Sequence, residues 1–329
     1  MAILVCGGAG YIGSHTAYEL FKRGEDVIVV DNLITGHKKA VLGGKLYIGD
    51  LRDSEFMDKI FEQNDIEAVI DFAAFSLVGE SVGKPLEYYE NNVYGTMCLL
   101  KKMVKYGVKK IVFSSTAATY GEPERVPIKE DDTTFPTNPY GETKLAVEKM
   151  LKWCDNAYGI KHVVLRYFNV AGADESGMIG EDHNPETHLI PLILQVPLGK
   201  RDLINVFGDD YETKDGTCIR DYIHVTDLAD AHILALNKLR RDNSSATYNL
   251  GNGEGFTVNE VIDAARRVTG HPIPAKVVAR RPGDPAKLVA SSDKIINELG
   301  WNPKHNSLEE IIESAWKWHK SNPNGFDDK

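Results

Sequence analysis

The first half of the chain repeats one pattern: a short apolar run, a polar or glycine-marked break, then a longer stretch whose apolar positions fall three and four apart. Ala2-Ile-Leu-Val-Cys6 is followed by Gly7-Gly-Ala-Gly10-Tyr11-Ile12-Gly13 and then by Ser14 to Phe21. An unbroken apolar run suits a strand buried on both faces, and the spacing beyond it suits a helix packed over that strand. Glycines at 7, 10 and 13 predict a tight turn, a close backbone approach and close helix-on-strand packing. The unpaired N–H groups at the opening of the helix, with the positive end of its dipole, predict an anion site suited to a pyrophosphate.

The same reading extends along the chain. Asp26 to Asp31 is a second buried strand, ending in an acid 18 residues after Gly13. A ribose 2′-hydroxyl would need an acceptor there, which favours NAD over NADP, although Lys38 and Lys39 stand near enough to meet a 2′-phosphate. Lys45–Ile48 reads as a strand, Asp50-Leu51 as a turn, Ser54–Gln63 as a helix and Glu67–Phe72 as the next strand. Ala73 and Ala74 follow, small enough for a flat ligand to lie against the backbone. Pro85 opens a helix predicted to run to about Tyr106, Lys110–Ser115 is the fifth strand, and Asn138-Pro139 are cap and first residue of another helix. His162–Arg166 continues the sheet. Strands alternating with helices predict an α/β fold with a doubly wound parallel (Rossmann) sheet, its ligands beyond the carboxyl ends of the strands. After about residue 170 the rhythm changes to longer loops and shorter elements. A smaller C-terminal α/β lobe is expected, with segments such as Val225–Leu239 returning to the main sheet. A helix from Leu308 to Lys320 carries Trp316 and Trp318 on a core-facing stripe, and the tail from Asn322 to Lys329 is expected to fray.

Composition changes this picture only at the site. The 329 residues suffice for one large domain or two unequal ones, and a net charge of −10 argues against nucleic acid or acidic membrane as a partner. An anionic substrate would therefore need locally placed arginines. Cys6, Cys98, Cys154 and Cys218 show no metal or redox spacing and read as buried small residues; no metal is expected. No leader-like segment precedes the first strand and no apolar run reaches membrane-spanning length, so a cytoplasmic protein is the expectation.

The chemistry centres on Tyr140-Gly-Glu-Thr-Lys144, which puts a phenol and an ammonium on one helix face. Tyr18 and Lys22, and Tyr106 and Lys110, share that spacing. Tyr140 differs in following Ser114-Ser115-Thr116 by one loop, so that it can face the carboxyl end of the fifth strand. A phenol of ordinary pKa is a poor base at neutral pH. A positive charge about 4 Å away, at an effective dielectric near 20, is worth about 4 kcal/mol, enough to lower that pKa by about three. Lys144 can supply the charge, and the Thr116 hydroxyl can relay or orient a substrate proton.

These residues resemble the extended short-chain dehydrogenases/reductases and, within them, the UDP-glucose (UDP-galactose) 4-epimerases. The resemblance runs from Ile3 to about Phe326. It rests on the glycine loop, Val30-Asp-Asn-Leu33, Gly49-Asp-Leu51, Lys84-Pro-Leu-Glu-Tyr-Tyr89 with Asn91-Asn92, Phe113-Ser-Ser-Thr116, Tyr140-Gly-Glu-Thr-Lys144 and Leu165-Arg-Tyr-Phe-Asn169. Phe207-Gly-Asp-Asp-Tyr211, Asp215 to Val225, Tyr248-Asn-Leu-Gly251 and Ala279-Arg-Arg-Pro-Gly-Asp284 complete it. The resemblance implies an NAD-binding domain over residues 1–170 and a mainly nucleotide-sugar-binding lobe over 171–329. It implies tightly retained NAD against Tyr11, Ile12, Asp31, Asn32, Leu33, Ile34, Thr35, Gly36, Asp50, Leu51, Phe72, Ala73, Ala74, Phe75, Ser76, Asn92, Thr116, Tyr140, Lys144 and Phe168. For the nucleotide sugar it implies Asn169, His188, Leu189, Asn205, Val206, Phe207, Arg220, Arg281, Pro282, Gly283 and Asp284.

By the same resemblance Tyr140 takes the 4-hydroxyl proton, C4 passes a hydride to NAD, and the 4-ketose turns over before the hydride returns to its other face. UDP-galactose and UDP-glucose are the implied substrates, and a homodimer pairing the helices Pro85–Tyr106 and Asn138–Ala157 is the implied assembly. Three positions depart from relatives. Ser76 stands where several have lysine, His188 replaces an asparagine, and Leu288, intermediate in bulk, occupies the position that gates N-acetylated sugars. The competing readings are a nucleotide-sugar dehydratase, which would need an acid pair where Ala117-Ala118 stand, an epimerase acting on N-acetylhexosamines, an ordinary dehydrogenase, and a catalytically silent NAD-binding protein.

Overall fold

The structure is a computed structural model describing residues 1–281 and 285–327. The apolar runs become strands where expected: β1 (Ala2–Cys6), β2 (Val27–Asp31), β3 (Lys45–Ile48), β4 (Ile66–Asp71), β5 (Lys110–Thr116) and β6 (Lys161–Tyr167). Between them lie α1 (Tyr11–Lys22), α2 (Ser54–Gln63), α3 (Val78–Gly83), α4 (Pro85–Tyr88), α5 (Gly95–Tyr106) and α6 (Pro139–Tyr158). Beyond β6 follow β7 (Asn169–Ala171), α7 (Leu189–Leu194), β8 (Ile204–Phe207), β9 (Ile219–Arg220), β10 (Tyr222–His224), α8 (Val225–Asp242) and β11 (Ala246–Leu250). The chain ends through β12 (Phe256–Thr257), α9 (Val258–Thr269), β13 (Ala275–Val278), β14 (Lys287–Leu288), α10 (Asp293–Leu299) and α11 (Leu308–Ser321).

Among the described residues one seven-stranded sheet runs β11-β6-β5-β4-β1-β2-β3, every neighbouring pair parallel. The order reverses between β1 and β4. That is where a doubly wound sheet opens a crevice at its carboxyl edge. One core packs α1 and α8 on the sheet through Leu20, Val29, Leu228 and Leu236; the other packs α2, α5 and α6 through Met57, Leu99, Met103 and Val147. A third apolar cluster, including Ile193, Val206, Ile262 and Ile312, lies among α7, β8, α9 and α11.

The long helix predicted from Pro85 is a single helical path interrupted by a π turn over Tyr89–Tyr94 between α4 and α5. Asn138 caps α6 by accepting from the Gly141 N–H at 2.9 Å, with Pro139 at the first helical position. The returning segment is α8, and β11 behind it adds an edge strand to the sheet. Cys6 and Cys218 are buried as expected, whereas Cys98 and Cys154 are half-buried. The tail does not fray over Asn322–Asp327: Phe326 packs on His37 and Trp318, and its N–H reaches the Asp182 carboxylate at 3.0 Å. An aromatic side chain finding a pocket outweighs the entropy of a short tail. No helix among the described residues is long and apolar enough to cross a membrane.

Polar groups pin the active-site edge of the sheet to α8. His232 is fully buried, with Nδ1 2.8 Å from the Leu228 carbonyl and Nε2 2.8 Å from the Ser114 hydroxyl. A carbonyl can only accept, so Nδ1 carries the proton and Nε2 accepts from Ser114. Burial holds this imidazole neutral, its pKa pushed down to about 4; His15, on α1, is held likewise at about 4. The unfolded imidazoles titrate near their ordinary value of about 6.5, so the unfolded state binds more protons between there and about 4. The stability these groups contribute is present above that window and lost as pH falls through it. Urea titrations at pH 7 and pH 4.5 should show the chain losing stability, with His232 accounting for up to about 3 kcal/mol. His232→Gln, which can keep both hydrogen bonds, should lose correspondingly less over the same interval.

Candidate active site

The crevice at the switch point is a cleft of about 970 Å³. Its floor is the glycine loop. Gly7 has a φ of +72°, and a Cβ there would lie 2.7 Å from the Ala73 N at the end of β4; at Gly13 a Cβ would lie 2.1 Å from the Gly7 carbonyl. Sequence neighbours of β1, α1 and β4 thus meet at backbone contact, as only glycine allows. Gly10 differs. A Cβ there would meet only the Gly7 carbonyl at 3.4 Å, so its open side faces the cleft rather than the protein. Gly10 is also the N-cap of α1 and offers no side chain to the helix, leaving first-turn N–H groups of Tyr11, Ile12 and Gly13 for a ligand. Uncapped donors and a missing side chain at this spot fit a pyrophosphate.

Asp31 ends β2 beside this loop. Its carboxylate accepts from Ala9 N at 2.9 Å and Leu33 N at 2.8 Å, fixing it at the lip of the cleft with lone pairs remaining for a ribose. Burial raises its pKa, and the backbone donors work against that rise. Asp50 accepts bidentately from Arg52 at 2.8 and 2.7 Å and from the Asn32 amide at 3.1 Å, and the Arg52 guanidinium holds its carboxyl well below the usual range. Ile34, Thr35, Leu51, Phe72, Ala73, Ala74, Phe75, Ser76 and Phe168 line the same cleft. Leu33 and Gly36 stand behind it. The first is anchored to Asp31 through its N–H, and the second lies against Ala9 and Asp31.

Asn92, a coenzyme contact by the resemblance, holds the wall of the cleft. Lying on the π turn, it accepts from Phe75 N at 2.8 Å and donates to Phe75 O at 3.0 Å and Thr143 Oγ1 at 3.1 Å. Both amide protons and the carbonyl are engaged within the protein.

At the far end of the cleft, β5 presents Ser114, Ser115 and Thr116, each anchored. Ser114 bonds His232; Ser115 Oγ donates to Glu148 at 2.5 Å, itself paired with Arg166 at 2.6 Å; Thr116 Oγ1 accepts from Ala118 N at 3.1 Å. Tyr140 and Lys144, on the first turns of α6, are both buried and both line the cleft beside Thr116. Lys144 Nζ donates to the Ser114 carbonyl at 2.7 Å and lies 4.8 Å from the centre of the Phe113 ring. Burial pushes this ammonium down to about 8, while Asp71 and Glu148 pull it up. Burial pushes Tyr140 up to about 12, with a hydrogen bond from Thr116 pulling down. Desolvation governs the phenol here, and the fall of about three expected from a lysine charge is not seen.

On the substrate side, Asn169, His188, Arg220 and Arg281 line the cleft. The Arg281 guanidinium lies 4.0 Å over the Phe207 ring, so that Phe207 steadies it. Asn205 and Val206 precede Phe207 on β8, but Val206 is buried in the third apolar cluster and points to the core; Leu189, first residue of α7, packs against that cluster too. Leu288 sits opposite Arg220 in a short parallel pairing of β14 with β9 and is not among the lining residues. Pro282, Gly283 and Asp284 lie outside the described residues. Glu181, His183 and Glu186 went unread in the sequence; they converge with His188 at the cleft's edge, where Glu181, His183 and His188 line the wall. Their signal was available as three acids and two histidines within eight residues.

The NAD dependent epimerase/dehydratase family matches residues 3–251. The chain belongs to this family. It is 63% identical over 326 residues to a UDP-glucose 4-epimerase of Halalkalibacterium halodurans, covering 99% of this chain and 98% of that one. A solved UDP-glucose 4-epimerase structure superposes with a TM-score of 0.98 at 58% identity, covering 99% of this chain and 100% of the other. A UDP-glucose 4-epimerase from Bifidobacterium longum, solved in complex with NAD+ and UDP, gives 0.94 at 44% identity, covering 99% and 100%. The family is defined by NAD dependence, in keeping with the uncapped helix, the open side of Gly10 and the placement of Asp31.

Replacing Asn92 by Ala leaves Phe75 N and O without their partners, and unmet buried backbone groups cost roughly 1–3 kcal/mol each. Asn92→Ala should lower unfolding free energy by about 2 kcal/mol or more in urea and weaken NAD retention, whereas a residue that merely touched coenzyme would leave the stability of the coenzyme-stripped protein unchanged.

Proposed function

We propose that this chain interconverts UDP-galactose and UDP-glucose at C4, with NAD held as a retained prosthetic group. The observation that carries this reading is the placement of Tyr140 and Lys144, buried beside Thr116, in one cleft with the glycine loop at one end and Arg220 and Arg281 at the other. Held against the glycine loop and Asp31, NAD would supply a reversible hydride acceptor for C4 and, oxidised, a positive charge in the cleft.

The chain's own residues manage the proton and the grip. Tyr140 is the base for the 4-hydroxyl proton, with Thr116 as orienting partner or relay. From a pKa near 12, bringing the phenol to the neutral range requires about 7 kcal/mol. A cation about 4 Å from the phenol, at an effective dielectric near 20, would supply about 4 kcal/mol of that. The positive charge of oxidised NAD would add to that of Lys144, so filling the cleft would favour the phenolate. Arg220 and Arg281 can fork onto a diphosphate, answering the net-acidic surface. Tight hold on the nucleotide with a loose grip on the hexose is what an intermediate that must turn over needs. Ala117 and Ala118 bring no acid to the sugar, which disfavours dehydration.

Because the hydride leaves and returns to one molecule, net redox is zero and nothing requires coenzyme exchange. Purified protein, freed of loose nucleotide and given UDP-galactose with no NAD added, should form UDP-glucose without accumulating reduced coenzyme. Steady release of NADH would instead mark a dehydrogenase. Tyr140→Phe should lower kcat by roughly 10²–10⁴ while leaving UDP-sugar affinity within a few-fold; unchanged turnover would remove Tyr140 from the chemistry. At Leu288, intermediate bulk should permit at most slow turnover of UDP-N-acetyl sugars, and equal kcat/KM for both sugar classes would overturn that.

A homodimer is the assembly this surface supports. The helical path from Pro85 to Tyr106 leaves Leu86, Tyr89 and Tyr94 exposed, and α6 leaves Trp153 exposed. Apolar side chains on two adjacent helices suit a two-fold helical bundle.

A further inference from the structure

The segment between β7 and α7 gathers two acids and two imidazoles. His188 Nδ1 lies 3.0 Å from Glu181 Oε1 and 3.0 Å from Glu186 Oε1, and His183 Nδ1 lies 3.2 Å from Glu181 Oε1 and 3.6 Å from Glu186 Oε2. All four donors fall within 4.8 Å of one another. Metal–ligand bonds of about 2.0–2.1 Å in a tetrahedron set neighbouring donors about 3.4 Å apart. The four separations, taken with either oxygen of Glu186, lie on either side of that edge length.

Ion pairs and hydrogen bonds hold much of the group, Glu186 Oε1 meeting Thr187 N at 2.7 Å, His188 N at 2.8 Å and His188 Nδ1 at 3.0 Å, but they leave one nitrogen over. His183 Nδ1 is buried and has no hydrogen-bond partner, although a carboxylate oxygen is 3.2 Å away. Its in-plane direction misses that oxygen, as it would if a third body between them took the lone pair. Both carboxylates are nearly dry, Glu181 at 4% and the Glu186 side chain at 8% exposure. Two buried carboxylates need two positive charges; the two imidazoles carry them when protonated, and a divalent cation with two neutral imidazoles would carry them in their place. The group also has access. It stands between the coenzyme cleft and a second cavity of about 450 Å³ lined by His37, Lys200 and His319.

We propose that Glu181, His183, Glu186 and His188 form a four-coordinate site for a divalent cation of the zinc type. Four protein donors leave no open position, so the ion is structural. It clamps the segment that carries His188 into the cleft wall at the entry to α7. Tyr11 is a neighbour but not a ligand, its hydroxyl being donated to the Gly172 carbonyl at 2.6 Å.

The test uses untagged holoprotein incubated with Zn²⁺ alone, desalted, and assayed for metal by mass spectrometry, with Co²⁺ substitution read by visible absorption. About one zinc per chain and the intense bands of a tetrahedral cobalt centre are expected. His183→Ala and the isosteric Glu186→Gln should each weaken zinc binding on the order of a hundredfold, with circular dichroism confirming that both remain folded. Zinc well below one per chain, cobalt spectra typical of octahedral coordination, or full zinc retention in both folded variants would each overturn the assignment.

Discussion

Backbone contact between the ends of β1 and β4 is the constraint on which the rest of the molecule depends. Gly7 and Gly13 let the chain turn under the start of α1 and touch Ala73, and a side chain at either would collide with main chain. The contact aims α1 at the point where the strand order reverses, so that its unpaired donors face the crevice. Asp31 then reinforces the arrangement from the next strand, tying Ala9 of the loop to Leu33 beyond it. The cleft's position and its taste for anions thus follow from where the protein lacks side chains.

The opposite end of the cleft is built by polar satisfaction. Ser114, Ser115 and Thr116 would be costly in the middle of a buried sheet, and each is anchored by a different element: His232 from α8, Glu148 from α6, Ala118 from the following turn. The Glu148–Arg166 pair extends through Tyr120 to Asn249 on β11, so the late edge strand is coupled to the reactive edge of β5. That coupling explains why a chain segment beyond residue 220 returns to the first sheet.

Strands and helices of the first half were legible because burial on two faces writes an unbroken apolar run and helical packing writes a three-four spacing. Lys45–Ile48 and Ser54–Gln63 have the predicted bounds. What escaped depended on tertiary partners. The π turn at Tyr89–Tyr94 has no local signature, and it is what turns Asn92 toward Phe75. Val206 shares a motif with Phe207 but alternates to the opposite face of β8, which motif matching cannot see and strand periodicity can. The packed tail at Phe326 required a pocket assembled from His37 and Trp318, far apart in the chain.

Desolvation acts on Tyr140 and Lys144 in the direction that disarms both, raising the phenol and lowering the ammonium. A site shaped to run base chemistry alone would be expected to favour the phenolate. Here the protein keeps Lys144 charged by placing Asp71 and Glu148 within electrostatic reach and gives its N–H a carbonyl, but leaves the phenol without a fixed cation strong enough to offset its burial. The missing charge is supplied most economically by a cationic ligand. An active site that is basic only when such a ligand is present does not deprotonate stray alcohols in its absence, so the same burial that weakens the free groups makes their chemistry conditional on a filled cleft.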